Sequence, residues 1–425
     1  MRIALWLAAL FAIAVASALF AGNNPGTVTL FWAPHRVDMS LNLFLVMLAG
    51  SFLTLHLAMR ALSALMSIPQ QARRWRMLQK ERAIHTALLD ALSHLVAGRF
   101  IRARKTADLV ISLEESVQRS GEKLAYSGRL RTLTHLIAAE SAHALQDRVL
   151  RDAHFGQALQ EAAGRDAQEA REGVQLRRAR WALDDRDAPA AMQWLDQLPT
   201  GASRRTVALR MRFRAARQAG EPRIALESSR LLTKHRAFSQ AAGKSIARGL
   251  AIEWIRAAYD TVQVQRAWDF LERDEQSIPE VACEAAERLL LFAGDASVSR
   301  RWLLPVWELM VHDHDALNIE QRIRLARVLE QGFGRAGESP DAVWLARIET
   351  AQMGNPRDAV LQYLAGMICL RLNLWGKAQQ LLKQSLLTLN HSELTRDTWL
   401  ALALIAELRQ DGHAAGEAYR EAAKR

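Results

Sequence analysis

The 425 residues are 50% hydrophobic and 24% charged, the balance of a chain that packs. The net charge of +11 comes from basic residues spread along the chain and interleaved with acids, so no concentrated stripe for reading nucleic acid stands out and no nucleic-acid partner is expected. The two cysteines, Cys283 and Cys369, lie in neither C-x-x-C nor C-x-x-C-H, which argues against a disulfide framework and against covalent haem attachment.

In chain order, residues 3–21 (IALWLAALFAIAVASALFA) form an uncharged run of 19 apolar or small residues, close to the ~20 a membrane helix needs. Asn23-Asn24-Pro25-Gly26 is a turn signal, and Trp32 suits a membrane interface. A second uncharged run of 21 residues covers 39–59. Together the runs predict a two-helix transmembrane hairpin over residues 1–62. A cleaved signal peptide fits less well, because a cut near Ala21 would put Leu19 at the −3 position.

Orientation follows the Lys/Arg bias. Arg2 and the α-amino group precede the first run, the loop 22–38 holds only Arg36 against Asp38, and Arg60, Arg73, Arg74, Arg76, Lys80 and Arg82 follow the second run. Both termini are therefore expected in the cytoplasm. Arg60, Arg73, Arg74 and Arg76 are the membrane-flanking basic residues, suited to anionic headgroups of the lipid bilayer. Asn42 and His56 are polar positions inside the second run. His56 is a candidate haem or porphyrin ligand or a contact to a partner helix, against the plainer reading that it reaches the headgroups from near the helix end.

Pro69 predicts a break, followed by an amphipathic helix over 72–96. Residues 63–97 thus read as a basic juxtamembrane helix leading into a first repeat, and 98–425 as a repeat array of helix after helix with no convincing period-2 strand. The fold class expected is all-α: the transmembrane hairpin followed by a tetratricopeptide-like α-solenoid. That repeat wants small residues where two antiparallel helices approach and large ones between. Near the C-terminus Trp399, Ala403, Ala415, Tyr419 and Ala422 fall at the required spacing, and the preceding unit offers Gly366, Trp375, Ala378, Leu382 and Ser385. Gly98, Phe100 and Ala103 fit a first unit. Ala191 and Ala225 lie 34 residues apart, the expected period, and Ala267 follows after a longer interval of 42. The stretch 280–350 resists phasing; eight or nine helix pairs are expected in all. Arg148, Arg151, Arg165, Arg171, Arg177, Arg178 and Arg180 concentrate in the middle and read as a solvated face or a basic groove for an acidic partner.

Chemistry is sparse. Gly332, Gly334 and Gly337 spell G-x-G-x-x-G but follow a helix, so they read as a helix stop rather than a dinucleotide site. His312 and His314 would share a face only in a strand; in a loop they cap and solvate, and no metal is expected. The 12 tryptophans read as packing between repeats, with a porphyrin-stacking surface as the alternative. No catalytic residue is assigned, and the chain is not expected to be an enzyme.

Three segments carry a resemblance: LFWAPHRVDMSLN leading into the second run, SIPQQARRWR, and ALLDALSHLVAGRFIRARKTAD. Over the first ~110 residues the chain resembles the HemY family of proteobacterial inner-membrane tetratricopeptide proteins, matched at residues 37–42, Pro69, residues 73–76, residues 97–100 and Ala103. The resemblance implies an integral inner-membrane protein with a cytoplasmic repeat domain, associated with late protohaem synthesis. It points to a scaffold for haem-pathway proteins such as ferrochelatase, with no cofactor of its own. The alternatives are a haem- or porphyrin-binding enzyme or carrier of that pathway, and a general envelope-assembly scaffold. The flavin-dependent protoporphyrinogen oxidase that shares the name is a different protein, and its dinucleotide-binding start is missing here.

Overall fold

The computed structural model describes residues 2–22, 25–121, 124, 126–164, 167–313, 315–333 and 342–424. The chain divides into two compact units, Met1–Glu161 and Ala162–Arg425.

The first unit opens with α1 (Arg2–Gly22), then two strands, β1 (Thr27–Trp32) and β2 (His35–Ser40), then α2 (Leu41–Val96), α3 (Phe100–Arg119), α4 (Ser127–Ala144) and α5 (Arg148–Glu161). The expectation of an all-α chain therefore needs a correction. Residues 27–40 are an antiparallel β-hairpin, with Thr27 opposite Ser40 and Trp32 opposite His35. β-Branched and aromatic residues alternating with period 2 favour that form. Ser40 ends β2 and also caps α2, its side chain accepting from the Leu43 N–H, so α2 begins at Leu41.

A second correction concerns Pro69. α2 runs unbroken for 56 residues and contains Pro69 in its interior. An interior proline costs about 3 kcal/mol; here long stretches of strong helix formers on both sides carry the helix through it. The membrane expectation is met in part. Among the described residues one segment, Leu41–Ser63, is long and apolar enough to cross a bilayer, where two were expected. α1 is a helix of 21 residues, and side chains 11–19 along it are exposed. The same helix that offers the span buries Ile84, Ala87 and Ala91 against α3 and α4 further along.

The second unit is helical throughout its described length: α6 (Gln168–Asp184), α7 (Ala188–Asp196), α8 (Thr200–Ser203), α9 (Thr206–Ala219), α10 (Pro222–Lys234), α11 (Gln240–Arg256), α12 (Thr261–Phe270), α13 (Arg273–Gln276), α14 (Pro279–Leu291), α15 (Ala296–His312), α16 (Ile319–Gln331), α17 (Ala342–Gly354), α18 (Ala359–Arg371), α19 (Trp375–Ser385), α20 (Ser392–Leu408) and α21 (Gly412–Ala423). Neighbours in sequence are neighbours in space, as in any stacked repeat. First helices of successive pairs touch, α11 on α14, α14 on α16, α16 on α18 and α18 on α20. The stretch that resisted phasing is thus α14 to α17, with Pro305 inside α15. Part of the longer interval to Ala267 comes from α11, which runs 17 residues where α9 runs 14.

One turn recurs across both units. After α2, α4, α6, α9, α14, α18 and α20 a single residue takes a left-handed backbone: Gly98, Gln146, Arg186, Gly220, Ala293, Asn373 and Gln410, with φ from 56° to 72°. The next residue's N–H then reaches back to a carbonyl five residues earlier, as Asp147 to Ala142, Asp187 to Ala182 and Asp411 to Ala406, at 2.8–2.9 Å. This closes the helix end. Asp147, Asp187 and Asp411 also cap the following helix through their carboxylates.

Candidate partner-binding face

Charge and apolar packing divide between the two helix layers of the second unit. The second helices are joined by tryptophans. Trp268 of α12 stacks on Trp302 of α15 at 4.8 Å, and Trp307 of α15 meets the edge of Trp344 of α17 at 5.7 Å. All four rings are buried. Packing between repeats, the expected role of these tryptophans, is their role here.

The first helices are joined by arginine–carboxylate pairs. Arg205 meets Glu172 at 3.0 Å and Arg217 meets Glu253 at 2.6 Å. Arg248 meets Glu280 at 3.3 Å. Glu284 of α14 takes both Arg256 of α11, through two hydrogen bonds of 2.8 and 2.9 Å, and Arg324 of α16, at 2.7 Å. Arg327 of α16 reaches Glu393 at 2.7 Å and Asp397 at 3.2 Å on α20. Exposed pairs of this kind contribute about 0–1 kcal/mol each, so the outer members set register more than stability. Glu284 differs because its side chain is only 10% exposed. Burial opposes its charge, but hydrogen bonds from Arg256 and Arg324 and their positive charge outweigh that, holding its carboxyl below the usual range.

Beyond Arg327 the face opens into a cleft of about 800 Å³ between α16, α18 and α20. Helical spacing builds each wall. Leu400, Leu404 and Leu408 recur every four residues on α20, and Tyr363, Met367 and Leu370 lie on α18. The three leucines are 42%, 45% and 46% exposed, an apolar stripe that nothing in this chain covers among the described residues. Arg327, Glu330, Arg371, Glu393, Arg396 and Asp397 surround the stripe. The Tyr363 hydroxyl donates to Glu330 at 2.8 Å, and Arg371 meets the same carboxylate at 3.1 Å. Burial first, and the Glu330 charge after it, push the Tyr363 hydroxyl well above its ordinary range, so it stays a donor.

The residues singled out for repeat packing fall as follows. Ala103, Ala191, Ala225, Ala378 and Ala403 are fully buried, and Ala415 and Ala422 nearly so. Gly366 faces Leu382, where a Cβ would stand 2.8 Å from Leu382 Cγ. Gly98 meets no neighbour within 4 Å; its place is set by a φ of +72°. Tyr419 is 42% exposed and donates to Glu407 at 3.0 Å. His56, Arg60, Arg73, Arg74 and Arg76 are exposed along α2. The basic middle stretch divides between α5 and α6, and Arg165 lies outside the described residues. His312 turns its Nδ1 to the Glu308 carbonyl at 2.7 Å, while His314, Gly334 and Gly337 lie outside the described residues. No group of three or more metal-binding side chains occurs among the described residues.

Sequence reasoning missed the cleft. Leu400, Leu404 and Leu408 recur at helical spacing, which by itself does not separate a buried stripe from an exposed one. Their exposure follows from which helix α20 packs on, which periodicity does not report.

Residues 26–146 match the family model described as the HemY protein N-terminus. No curated protein matches the chain. Among solved structures, the APC/C hetero-tetramer Cut9-Hcn1 is 12% identical with a TM-score of 0.29, over 80% of this chain and 66% of that one. Naa15/Naa10 bound to HypK-THB is 10% identical with a TM-score of 0.24, over 78% and 57%. Yeast Tom70 is 12% identical with a TM-score of 0.26, over 81% and 69%. The chain thus spans less than two thirds of the length of the first two. At these TM-scores the likeness carries no argument, and the helix-pair array rests on the contacts described above.

Proposed function

We propose that this chain, whose residues 26–146 match the model of the HemY protein N-terminus, is a membrane-anchored, non-enzymatic scaffold whose repeat array holds another protein. The observation that carries the reading is the cleft between α16, α18 and α20. An uncovered leucine stripe with charged residues around it is the surface an amphipathic helix of a partner fills. The family resemblance directs the search for that partner to late protohaem synthesis, with ferrochelatase as the first enzyme to look for.

The anchor we propose is the two-span arrangement read from the uncharged runs, α1 and the start of α2, with both termini on the cytoplasmic side of the bacterial inner membrane. Support comes from Leu41–Ser63 and from Arg60, Arg73, Arg74 and Arg76, which follow or end that span on α2.

The test is co-purification from native membranes in mild detergent, read by mass spectrometry, of the full chain against a Leu400→Glu/Leu404→Glu variant. Wild type should enrich ferrochelatase or another enzyme of that pathway at least tenfold over the variant. Equal recovery by both proteins removes the cleft from the reading. Recovery of unrelated envelope proteins with no haem enzyme removes the pathway.

A second reading has one specific observation behind it. Arg371 and Arg396 beside apolar Met367, Leu400 and Leu404 would also suit a flat, carboxylate-bearing tetrapyrrole. Absorbance titration with protoporphyrin, comparing wild type, the cleft variant and His56→Ala, separates a porphyrin in the cleft from one held at His56.

A further inference from the structure

The β-hairpin has two unlike faces. Directly opposed residues share a face, so the register places Val28, Leu30 and Trp32 with Met39, Val37 and His35 on one side. The other side carries Thr27, Thr29 and Phe31 with Ser40, Asp38 and Arg36. On that second side Arg36 bonds Asp38 at 3.1 Å and lies over the ring of Phe31 at 5.6 Å; Phe31 is itself 77% exposed, and the polar and charged residues outnumber it there five to one. On the first side Leu30, Trp32 and Val37 are 44%, 77% and 49% exposed. An isolated two-stranded hairpin with such a face is marginal in water.

No linker separates this face from the apolar span. Ser40 is the last residue of β2, the cap of α2 and the neighbour of Leu41, where the span begins. The Leu41 N–H donates to the Gly26 carbonyl at 2.9 Å, which ties the start of the hairpin to the same helix end. Six residues of strand extend about 20 Å, whereas the polar headgroup layer is only about 5–8 Å deep on each side. An upright hairpin would carry Trp32 beyond the headgroups into water and leave its alternation without purpose. A hairpin lying along the surface would put Leu30, Trp32, Val37 and Met39 at the depth where tryptophan concentrates in membrane proteins, and Arg36 and Asp38 upward.

We propose that the Val28/Leu30/Trp32/Val37/Met39 face of the hairpin is a lipid-binding surface that lies on the bilayer interface at the N-terminal end of the span. It acts as a strut, fixing how far α2 can slide along its axis and in which direction it leans. The inference rests on α2 crossing the membrane at Leu41–Ser63.

The test uses the full-length protein in phosphatidylcholine/phosphatidylglycerol vesicles. Single cysteines carrying an environment-sensitive fluorophore are placed by Leu30→Cys, Trp32→Cys and Val37→Cys on the apolar face, and by Thr29→Cys and Asp38→Cys on the other. Leu53→Cys marks the middle of the span. The native Cys283 and Cys369 are buried and stay unlabelled in the folded protein. The expected result is an alternation: positions 30, 32 and 37 emit blue-shifted light and are quenched several-fold more by doxyl lipid than by iodide, and positions 29 and 38 behave oppositely. If position 53 is lipid-quenched and the alternation is missing, the strut is overturned and the span stands. Labels at 30, 32 and 37 shielded from both quenchers would show a protein cover and overturn the lipid assignment. A water-exposed label at position 53 removes the span and the strut with it.

Discussion

A methyl group on Gly366 would stand 2.8 Å from Leu382 Cγ and Cδ2, so the approach of α18 to α19 is set by the missing side chain at residue 366. In an ordinary helix interior Gly→Ala gains about 0.5–1 kcal/mol. Here overpacking a fully buried leucine, at about 1–3 kcal/mol, outweighs that gain. Gly366→Ala should lower the urea midpoint, and a second change, Leu382→Ala, should relieve part of the added loss. Gly98→Ala should also destabilise, by about 1–2 kcal/mol for a left-handed alanine, but with no neighbour whose truncation rescues it. Additive loss in the Gly366/Leu382 pair would contradict the close approach.

Glu284 joins three successive first helices through Arg256 and Arg324, and its carboxyl is held below the usual range by those two bonds against the cost of burial. A depressed carboxyl gives stability that is present above the unfolded carboxylate range and is lost as pH falls through the lower folded value. Glu284→Gln should destabilise at pH 7 by about 1–2 kcal/mol, less than a fully buried pair would cost because the Arg256 and Arg324 side chains, 62% and 34% exposed, keep access to water, and should flatten the acid limb of the stability–pH curve. An unchanged acid limb would mean that the pair carries no linkage.

His135 of α4 and His154 of α5 face each other through Nδ1 atoms 3.1 Å apart. Burial first, then the neighbouring His154 and Arg131 charges, push His135 down to about 4, and His154 is lowered mainly by burial. Both rings are therefore neutral in the fold at pH 7. Lowered histidines favour the folded state at pH above their unfolded range, near 6.5, and the advantage is lost as pH falls from there toward 4. Unfolding followed at pH 7, 6 and 5 should show a loss that His135→Gln reduces. An equal slope in both proteins would exclude the pair as its source.

Cys283 is 1% exposed, and burial raises its thiol to about 12; Cys369 is fully buried and raised for the same reason. A thiol that stays protonated and covered is inert. In native protein at pH 8 both should react with a disulfide reagent only as fast as the second unit opens, and the rate should rise with urea in step with unfolding. Fast reaction of either in the absence of denaturant would place it at the surface.

Much of the helical framework was legible in the chain. The uncharged run apolar enough to span a membrane, the amphipathic character of residues 72–96 and the small residues Ala103, Ala191, Ala225, Gly366 and Ala403 all follow from composition and spacing, because an apolar run and a helix's period are local properties; that the two stretches form one helix through Pro69 does not. The turns were legible in part: Asp147, Asp187 and Asp411 are ordinary capping residues, but Gln146, Arg186 and Gln410 take a left-handed backbone that their side chains do not announce. The hairpin was missed because six-residue strands between two apolar runs look like a loop, although their alternation was there to count.

Which charges meet was decided only by the tertiary structure. Arg327 and Asp397 are 70 residues apart in the chain, and nothing local distinguishes them from the other arginines and acids on solvated faces. The same holds for the leucine stripe on α20: local sequence made it apolar, and the packing of α16, α18 and α20 left it uncovered. Periodicity assigns a residue to a face of its own helix, and the stacking of one repeat on the next determines what that face meets.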